Sequence, residues 1–408
     1  MKENQYTIQG VNLIALASEF GTPVYVYDAE KIRFQVEKLK NAFPGIDLRI
    51  KYAIKALSNV SILKLLKKLG VGMDAVSIQE VELALKAGFT PDEIQYSPNG
   101  VAFDEFIAAV DRGVMINIDN LPMLEKFGET YGHEVPVCIR LNPHIMAGGH
   151  LKISTGHIDS KFGISLLQLN EILAVVDRYQ LKVTGLHIHT GSDIIDSEVF
   201  LKGAQFLFDA AMHFPELDYI DFGSGLKVSY REDDPGTDVE DLGHHLKKSY
   251  DTFRKAYGRE LSIWFEPGKY LVSEAGWLLV NANLIKTTPA TVFVGVNSGM
   301  NHLIRPMMYD SYHHILNLSN PDGHERVYSV VGYICETDTL GWNRKLAEVS
   351  PGDVLAIKNA GAYGYSMSSN YNSRLRPAEV LIYQGQAHLI RKRETMEDLV
   401  RNQVDLDI

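Results

Sequence analysis

The chain has 408 residues and a formal net charge of −11 at pH 7. That length favours one large domain with a smaller second domain. The negative charge and a pI near 5.7 disfavour nucleic acid and anionic membranes as main partners, because both would repel the protein at long range. No apolar run is long enough to span a bilayer, and there are only two cysteines, so we expect a cytoplasmic protein without a disulfide framework.

The first strong helix signal follows Asp28, which can cap a helix that Pro44 and Gly45 end. After it a pattern repeats, consisting of an apolar, β-branched run, a polar or glycine-bearing turn and an amphipathic helix. The apolar runs are Arg49 to Ala56, Gly72 to Ser77, Ile94 to Pro98, Val114 to Asp119, Val135 to Asn142, Val183 to Thr190, Tyr219 to Ser224 and Leu261 to Glu266. Eight such units over about 200 to 250 residues predict an α/β fold with a closed, TIM-like (β/α)₈ barrel.

Beyond Glu274 the pattern changes to strand-like runs that lack intervening helices. These runs are Trp277 to Ile285, Thr291 to Val296, Arg326 to Tyr333, Asp353 to Asn359 and Ala378 to Tyr383. They predict a second, mainly antiparallel β domain, with a local helix near Tyr309 to Leu316. The expected division is an N-terminal segment, 1–28, that packs with the C-terminal domain, then the barrel, 29–272, and the β domain, 273–408.

Lys55 stands near the end of the first barrel strand, the edge at which barrel enzymes place their active sites. A lysine in an apolar run should be partly desolvated, which lowers its pKa and frees the amine to form a Schiff base. From Lys55 alone, a snorkelling strand-end lysine is the simpler interpretation. Lys51 lies on the same face but deeper, and we interpret it as structural.

Two small-residue turns late in the barrel could bring backbone amides to a phosphate. One is Gly223-Ser224-Gly225, and the other runs from His189 to Ser192. Glu266 precedes Pro267 and Gly268, so its carboxylate should stand at a strand end, where it could hold a pyridine nitrogen protonated or be an ordinary acid. Lys269 could meet a phosphate or a substrate carboxylate.

Asp74 points inward on the second strand and could orient its neighbours. His187 and His189 share a face of the sixth strand, but no third ligand with suitable spacing is evident, so we predict no metal site. A better use of His189 is to lie flat on an aromatic cofactor.

Together these residues resemble the fold-type III pyridoxal-phosphate decarboxylases. The barrel motifs that carry the resemblance are Tyr52-Ala53-Ile54-Lys55-Ala56, His189-Thr190-Gly191-Ser192, Asp221-Phe222-Gly223-Ser224-Gly225 and Glu266-Pro267-Gly268-Lys269. C-terminal motifs narrow it to the diaminopimelate decarboxylase family, namely Met300-Asn301-His302-Leu303-Ile304-Arg305-Pro306 with Tyr309, Cys335-Glu336, Gly361-Ala362-Tyr363 and Ser369-Asn370-Tyr371-Asn372. The motifs follow the family's order over nearly the whole chain.

The resemblance implies pyridoxal 5′-phosphate as the cofactor, carried by Lys55, stacked by His189 and paired at its nitrogen with Glu266. Around the phosphate it implies Ser192, Gly223 to Gly225, Gly268 and Tyr363. It further implies a homodimer in which Cys335, the proton donor to the product carbon, and Glu336 enter the partner subunit's site. The implied reaction turns meso-2,6-diaminopimelate into L-lysine and carbon dioxide.

Substrate choice depends on the groups that face the distal end of the substrate. Arg305, Lys269 and Tyr309 suit a distal carboxylate and Glu336 a distal ammonium, although Arg305 alone could equally be a surface ion pair. A sibling decarboxylase for carboxynorspermidine, ornithine or arginine is the alternative enzyme, and a non-catalytic cofactor-binding homologue is the alternative class.

Three positions depart from the family pattern. Ser224 replaces the middle glycine of a triplet, and Leu57 replaces an asparagine. Lys269 replaces an arginine, which exchanges a bidentate fork for a point charge and could loosen carboxylate recognition.

Overall fold

The computed structural model describes residues 6–144, 160–189, 191, 197–231 and 233–408. The chain begins with strands β1 (Thr7–Ile8) and β2 (Val11–Asn12), helix α1 (Leu13–Phe20), strand β3 (Val24–Asp28) and helix α2 (Ala29–Asn41). It folds into two compact units, one of residues 33–229 and 235–270, the other of residues 1–32, 230–234 and 271–408.

The first unit is a closed barrel of parallel strands. Its strands and helices, in chain order, are β4 (Leu48–Ala53), α3 (Val60–Lys68), β5 (Gly72–Ala75), α4 (Ile78–Lys86), β6 (Ile94–Tyr96), α5 (Phe103–Asp111), β7 (Met115–Ile118), α6 (Leu121–Tyr131), β8 (Val137–Asn142), β9 (Ile164–Ser165), α7 (Leu169–Tyr179), β10 (Val183–Ile188), α8 (Ser197–Ala211), β11 (Tyr219–Asp221), α9 (Val239–Tyr257) and β12 (Ser262–Phe265). Strand β10 pairs with β8, and β12 pairs with β4, which closes the ring. The short strand β9 pairs only with the end of β8 and is not one of the eight strands of the ring. The predicted eight-stranded barrel is confirmed.

The strands form here because they are buried on both faces, against the helices outside and the barrel interior inside. At the amino end of the barrel the interior is apolar and aromatic. The rings of Tyr219 and Trp264 stack with centroids 3.6 Å apart beside buried Cys138. Lys51 lies over the Trp264 ring and donates to the carbonyl of Asp92, so its role at this end of the barrel is structural.

The second unit is built around a mainly antiparallel sheet. Helix α10 (Lys269–Val272) leads from the barrel into β13 (Gly276–Thr287), β14 (Val292–Val296), α11 (Arg305–Tyr309), β15 (Ile315–Asn317), β16 (Glu325–Val331), β17 (Thr339–Ala347), β18 (Val354–Ile357), β19 (Ala378–Tyr383), β20 (Gln386–Arg391) and α12 (Met396–Val400). The sheet order is β17-β16-β14-β13-β3-β19-β20, so the N-terminal strand β3 is a central strand of this unit. The predicted second β domain is confirmed.

One predicted element is wrong. Residues 309–316 do not form a helix, because α11 ends at Tyr309 and Asp310 adopts a left-handed conformation before the chain enters β15. The helical turn lies earlier, with Pro306 in its first turn, where a proline needs no hydrogen bond. Within the described residues, no helix has the length and apolar character that a membrane span requires.

The stack of Tyr219 on Trp264 leaves no room for a side chain on the neighbouring strand. A Cβ at Gly185 would overlap the Tyr219 ring and come 2.6 Å from its hydroxyl oxygen. We expect Gly185→Ala to lower the free energy of unfolding by about 1–3 kcal/mol, because overpacking a closed core forces it to shift. Urea unfolding would measure the loss.

A double-mutant cycle supplies the control for this prediction. In a Tyr219→Ala background the added methyl group has space, so Gly185→Ala should cost clearly less there. An equal cost in both backgrounds would contradict the overlap with the ring.

Candidate functional site

The carboxyl edge of the barrel gathers the sequence-predicted residues of the first unit. Strand β4 ends at Ala53, two residues before Lys55, and residues 54–56 form a 3₁₀ turn. That turn lifts Lys55 out of the strand, so its side chain is exposed and the expected desolvation of Lys55 is wrong. Its ammonium still acts electrostatically on the acids and histidines of this edge, including Asp74, His189 and Glu266.

Glu266 and Asp221 form a buried acidic pair at the ends of β12 and β11. Burial raises the pKa of Glu266 well above its ordinary value, and the neighbouring Asp221 raises it further. Burial likewise raises the pKa of Asp221 to about 6. Two close carboxylates away from water cannot both ionise freely, so the charge of this pair depends on the neighbouring groups.

Polar side chains from other barrel strands stabilise this pair. Gln95 Nε2 lies 3.0 Å from Glu266 Oε1 and 3.2 Å from Asp221 Oδ2, and it donates to both. His187 Nε2 lies 3.3 Å from the other Glu266 oxygen. Arg140 is buried in the same layer and favours the charged form of Glu266. Asp74 is also buried, and burial raises its pKa.

His189 and the glycine turn after β11 fit closely together. Nδ1 of His189 accepts a hydrogen bond from the Ser224 amide at 3.2 Å. Gly223 has φ +59°, and a Cβ there would come 2.7 Å from His189 Nδ1 and from the Ile188 carbonyl oxygen, so only glycine fits. Burial and the charge of Arg140 hold the pKa of His189 well below 6.5, so its ring is neutral.

The segment after β12 packs against the turn that carries Lys55. A Cβ at Gly268 would lie 3.0 Å from that of Ala56, and the Pro267 carbonyl accepts from the Ala53 amide at 3.4 Å. Lys269 begins α10 and is half-buried. Of the predicted residues, Ser192 lies outside the described part of the chain, and Leu57, where an asparagine was expected, is buried core.

In the second unit Arg305 lies among three tyrosines. Its guanidinium carbon is 5.8 Å from the ring centroid of Tyr230, 5.9 Å from that of Tyr309 and 5.7 Å from that of Tyr363. It is buried, it donates to Ser311 Oγ at 3.3 Å, and its Nε has no partner among the described residues. A buried cation without a carboxylate is costly, so this arrangement favours an anionic ligand.

Cys335 and Glu336 are exposed in the second unit. Asn372 Nδ2 donates to Cys335 Sγ at 3.1 Å, and the Tyr371 hydroxyl donates to Glu336 Oε1 at 2.7 Å. Asn372 has φ +56°, a conformation that asparagine tolerates better than most residues. The sequence motif contained Asn372 and Tyr371, but only the folded chain shows what they contact.

Sequence reasoning missed the supporting residues of the barrel, Gln95 and Asn117, and gave no role to His187 or Asp221. The available signal was weak. Gln95 and Asn117 are single polar residues in short apolar strands. Their contacts lie across the barrel, so no sequence spacing reveals them.

The site's chemistry fits a pyridine cofactor with a phosphate. Lys55 is exposed at this edge, and its charge acts on the neutral imidazole of His189 and on the buried acid Glu266, whose pKa is raised. A side chain at Gly223 would collide with the protein and one at Gly268 would be crowded, so both glycines allow the backbone to pack closely at this edge. Pyridoxal phosphate needs an amine for its carbonyl, an acid for its nitrogen and backbone amides for its phosphate.

Comparison with known proteins agrees with this chemistry. The family described as "Pyridoxal-dependent decarboxylase, pyridoxal binding domain" matches residues 29–273. Diaminopimelate decarboxylase of Methanothermobacter thermautotrophicus is 39% identical over 97% of this chain and 95% of its own. The solved structure of diaminopimelate decarboxylase from M. jannaschii with L-lysine has a TM-score of 0.91 at 33% identity, covering 100% of this chain and 97% of the other.

A third similarity is to diaminopimelate decarboxylase from Helicobacter pylori complexed with L-lysine. Its TM-score is 0.89 at 34% identity, over 96% of this chain and 98% of the other. The chain therefore belongs to the diaminopimelate decarboxylase family of pyridoxal-dependent decarboxylases.

Proposed function

We propose that the protein is a carboxy-lyase that uses pyridoxal phosphate to convert meso-2,6-diaminopimelate into L-lysine and carbon dioxide, the last step of lysine biosynthesis. The observation that carries the proposal is an exposed lysine, Lys55, at the carboxyl edge of the barrel, close enough to the buried Glu266 to act on its charge. Two similar enzymes were solved with L-lysine, the product of this reaction.

Residues of the barrel hold and polarise the cofactor. Lys55 would carry it, and neutral His189 would lie against its ring. Glu266 would pair with the ring nitrogen and keep a proton there. When bound, the cofactor supplies an electron-accepting ring that takes up the electron pair left by departing carbon dioxide. The protein adds orientation and a fixed charge distribution.

The phosphate is held mainly by backbone amides. The proposed phosphate site consists of the turn Gly223 to Gly225 and residues 267–269, to which the family resemblance adds Ser192. Asp221 fixes this turn, because its Oδ1 accepts from the Gly223 amide at 2.8 Å. Asp74 is buried near the charges of Lys55 and Arg140 and helps to set the potential of the barrel edge.

The substrate is a diamino diacid, so it needs a cation for its distal carboxylate and an acid for its distal ammonium. Arg305 with Tyr309 and Tyr363 provides the buried cation and hydroxyls, and Lys269 a second positive charge. Glu336 provides the acid. A decarboxylase for ornithine or arginine would have no distal carboxylate to satisfy Arg305, which favours diaminopimelate over those siblings.

We further infer a homodimer with shared active sites, in which Cys335 and Glu336 serve the partner subunit. Both residues are exposed, and Asn372 and Tyr371 hold them by hydrogen bonds. Cys335 delivers the proton to the carbon that has lost carbon dioxide. Two free cysteines and the negative charge suit the reducing cytoplasm, where we expect the protein to act. We also propose that the barrel domain begins after residue 28 and ends at residue 272.

Lys55 and Lys51 make a matched pair for testing the cofactor anchor. Burial lowers the pKa of Lys51 to about 8, so it is the rival amine, but it lies at the other end of the barrel. We expect Lys55→Ala to lose the visible absorbance of the lysine-bound cofactor and on the order of 10³-fold or more of lysine formation. Lys51→Met should keep the absorbance. The reverse pattern would contradict the anchor, and absorbance without release of carbon dioxide from any of the candidate substrates would favour a non-catalytic homologue.

Shared sites predict complementation between two inactive variants. In a mixed dimer the Lys55→Ala change of one subunit and the Cys335→Ser change of the other fall in the same shared site, so the second site keeps both wild-type residues. After subunit exchange, an equal mixture should recover about a quarter of the wild-type lysine formation, the share expected from random pairing. Failure to recover activity, with exchange verified by labelled subunits, would argue against sharing.

Arg305→Met tests recognition of the distal carboxylate. We expect kcat/KM for diaminopimelate to fall about 30-fold or more, because losing a buried charge partner costs about 2 kcal/mol or more. Cofactor absorbance and residual turnover of ornithine, which has no distal carboxylate, should not change. A loss of cofactor affinity instead would assign Arg305 to the phosphate.

A further inference from the structure

Three side chains form a buried row beneath the proposed cofactor site. His187 on β10 is 1% exposed and lies between Asn117 on β7 and Glu266 after β12. Asn117 Nδ2 lies 2.7 Å from His187 Nδ1, and His187 Nε2 lies 3.3 Å from Glu266 Oε2. The proposed reaction gives Glu266 a role at the cofactor but gives none to His187 or Asn117.

The row fixes which nitrogen of His187 carries the proton. Burial and the positive charge of Arg140 hold the pKa of His187 well below 6.5, so the ring is neutral and has one N–H. The amide of Asn117 faces Ser97 Oγ at 3.1 Å as well as His187 Nδ1. If that amide donates to Nδ1, the proton of His187 must be on Nε2, which faces Glu266.

Glu266 then has a donor for each of its oxygens. Gln95 donates to Oε1 at 3.0 Å, and His187 Nε2 stands 3.3 Å from Oε2. In the structure His187 Nε2 is buried without a hydrogen-bond partner among the described residues, so a modest rotation of the carboxyl group would complete the contact. Two donors favour the carboxylate over the acid form, which opposes the effect of burial on this group.

We propose that His187, held by Asn117 in its Nε2–H form, is a positioning residue that keeps Glu266 ionised and aimed at the ring nitrogen of the cofactor. This inference rests on the proposed function, in which Glu266 pairs with that nitrogen. Without the row, burial beside Asp221 would favour the protonated form of Glu266. A neutral carboxyl group would no longer stabilise a protonated ring nitrogen.

A divalent metal ion is the competing use of these residues. Ligand atoms of His187, Asp221 and Glu266 lie within 4.8 Å of one another. However, the Gln95 amide already donates to both carboxylates, and Arg140 adds a positive charge to the same layer. The amide thus occupies the place that a cation would take, which favours the positioning role.

The tautomer can be read directly from the holoenzyme by NMR with ¹⁵N-labelled histidine. The chain has 14 histidines, and the signals that vanish in His187→Gln identify residue 187. We expect its Nδ1 to lack a proton and its Nε2 to carry one. The opposite pattern would overturn the proposal, because Nε2 would then accept from Glu266 instead of donating to it.

Asn117→Asp tests the same row with an almost isosteric change. A carboxylate can only accept, so it should draw the His187 proton to Nδ1 and leave Nε2 without one. We expect kcat to fall about 10- to 100-fold, the usual effect of losing a partner behind a site residue, with KM nearly unchanged. The pH at which the lysine-bound cofactor changes its visible absorbance should also move upward, because a less protonated ring withdraws fewer electrons.

His187→Gln and His187→Leu separate positioning from packing. The glutamine can still donate to Glu266 and should keep most of the activity and the wild-type absorbance titration, whereas the leucine should lose both. Equal effects of the two variants, or a lower melting temperature with an unchanged titration, would mean that His187 only packs the core. Bound divalent metal in the purified protein, lost in both variants, would instead support the metal site.

The outcome for His187 can be separated from that of the proposed function. The tautomer and the absorbance titration are read without any substrate. Failure of the wild-type enzyme to decarboxylate diaminopimelate would therefore overturn the substrate assignment alone. An Nδ1–H tautomer, together with normal lysine formation, would overturn the His187 proposal alone.

Discussion

Glu266 and Asp221 lie beside each other inside the barrel, where neither side chain reaches much water. Burial and mutual repulsion both oppose their charges, so the barrel must supply compensating groups or leave the acids protonated. Gln95 donates to both, and Arg140 contributes a buried positive charge. Much of the polar layer at the carboxyl edge of the barrel is explained by this one requirement.

The need to compensate buried charge distinguishes the carboxyl end of the barrel from its amino end. At the amino end Tyr219, Trp264 and Cys138 fill the interior, and Lys51 is held by a ring face and a carbonyl. Burial lowers the pKa of Lys51, and the contacts of this side chain with the ring and the carbonyl give it a structural role. Lys55, four residues further along, is exposed to solvent and acts on the acidic layer. The two lysines thus face opposite environments, because the 3₁₀ turn carries Lys55 beyond the strand that holds Lys51.

Strand order and the edge that carries the site could be predicted because buried parallel strands are continuous apolar runs, and their ends are marked by polar residues. The 3₁₀ turn that exposes Lys55 could not, since Ile54 and Ala56 read as further strand. Gln95 and Asn117 were missed because their partners are reached only when the barrel closes. The predicted helix at 309–316 was wrong because the chain leaves the helical conformation at Asp310 and enters β15 at Ile315.

In the second unit a buried charge, that of Arg305, is left without a carboxylate partner among the described residues. Its guanidinium is buried among three tyrosine rings, and no carboxylate of the described residues pairs with it, although acidic residues are more numerous than basic ones in the chain. Tyrosine rings stabilise a cation through their faces but leave its N–H groups unsatisfied. An unsatisfied buried cation persists where a ligand completes it, and a planar fork best fits a carboxylate or phosphate. The barrel therefore satisfies its buried acids internally, while this unit leaves its cation available for an anion.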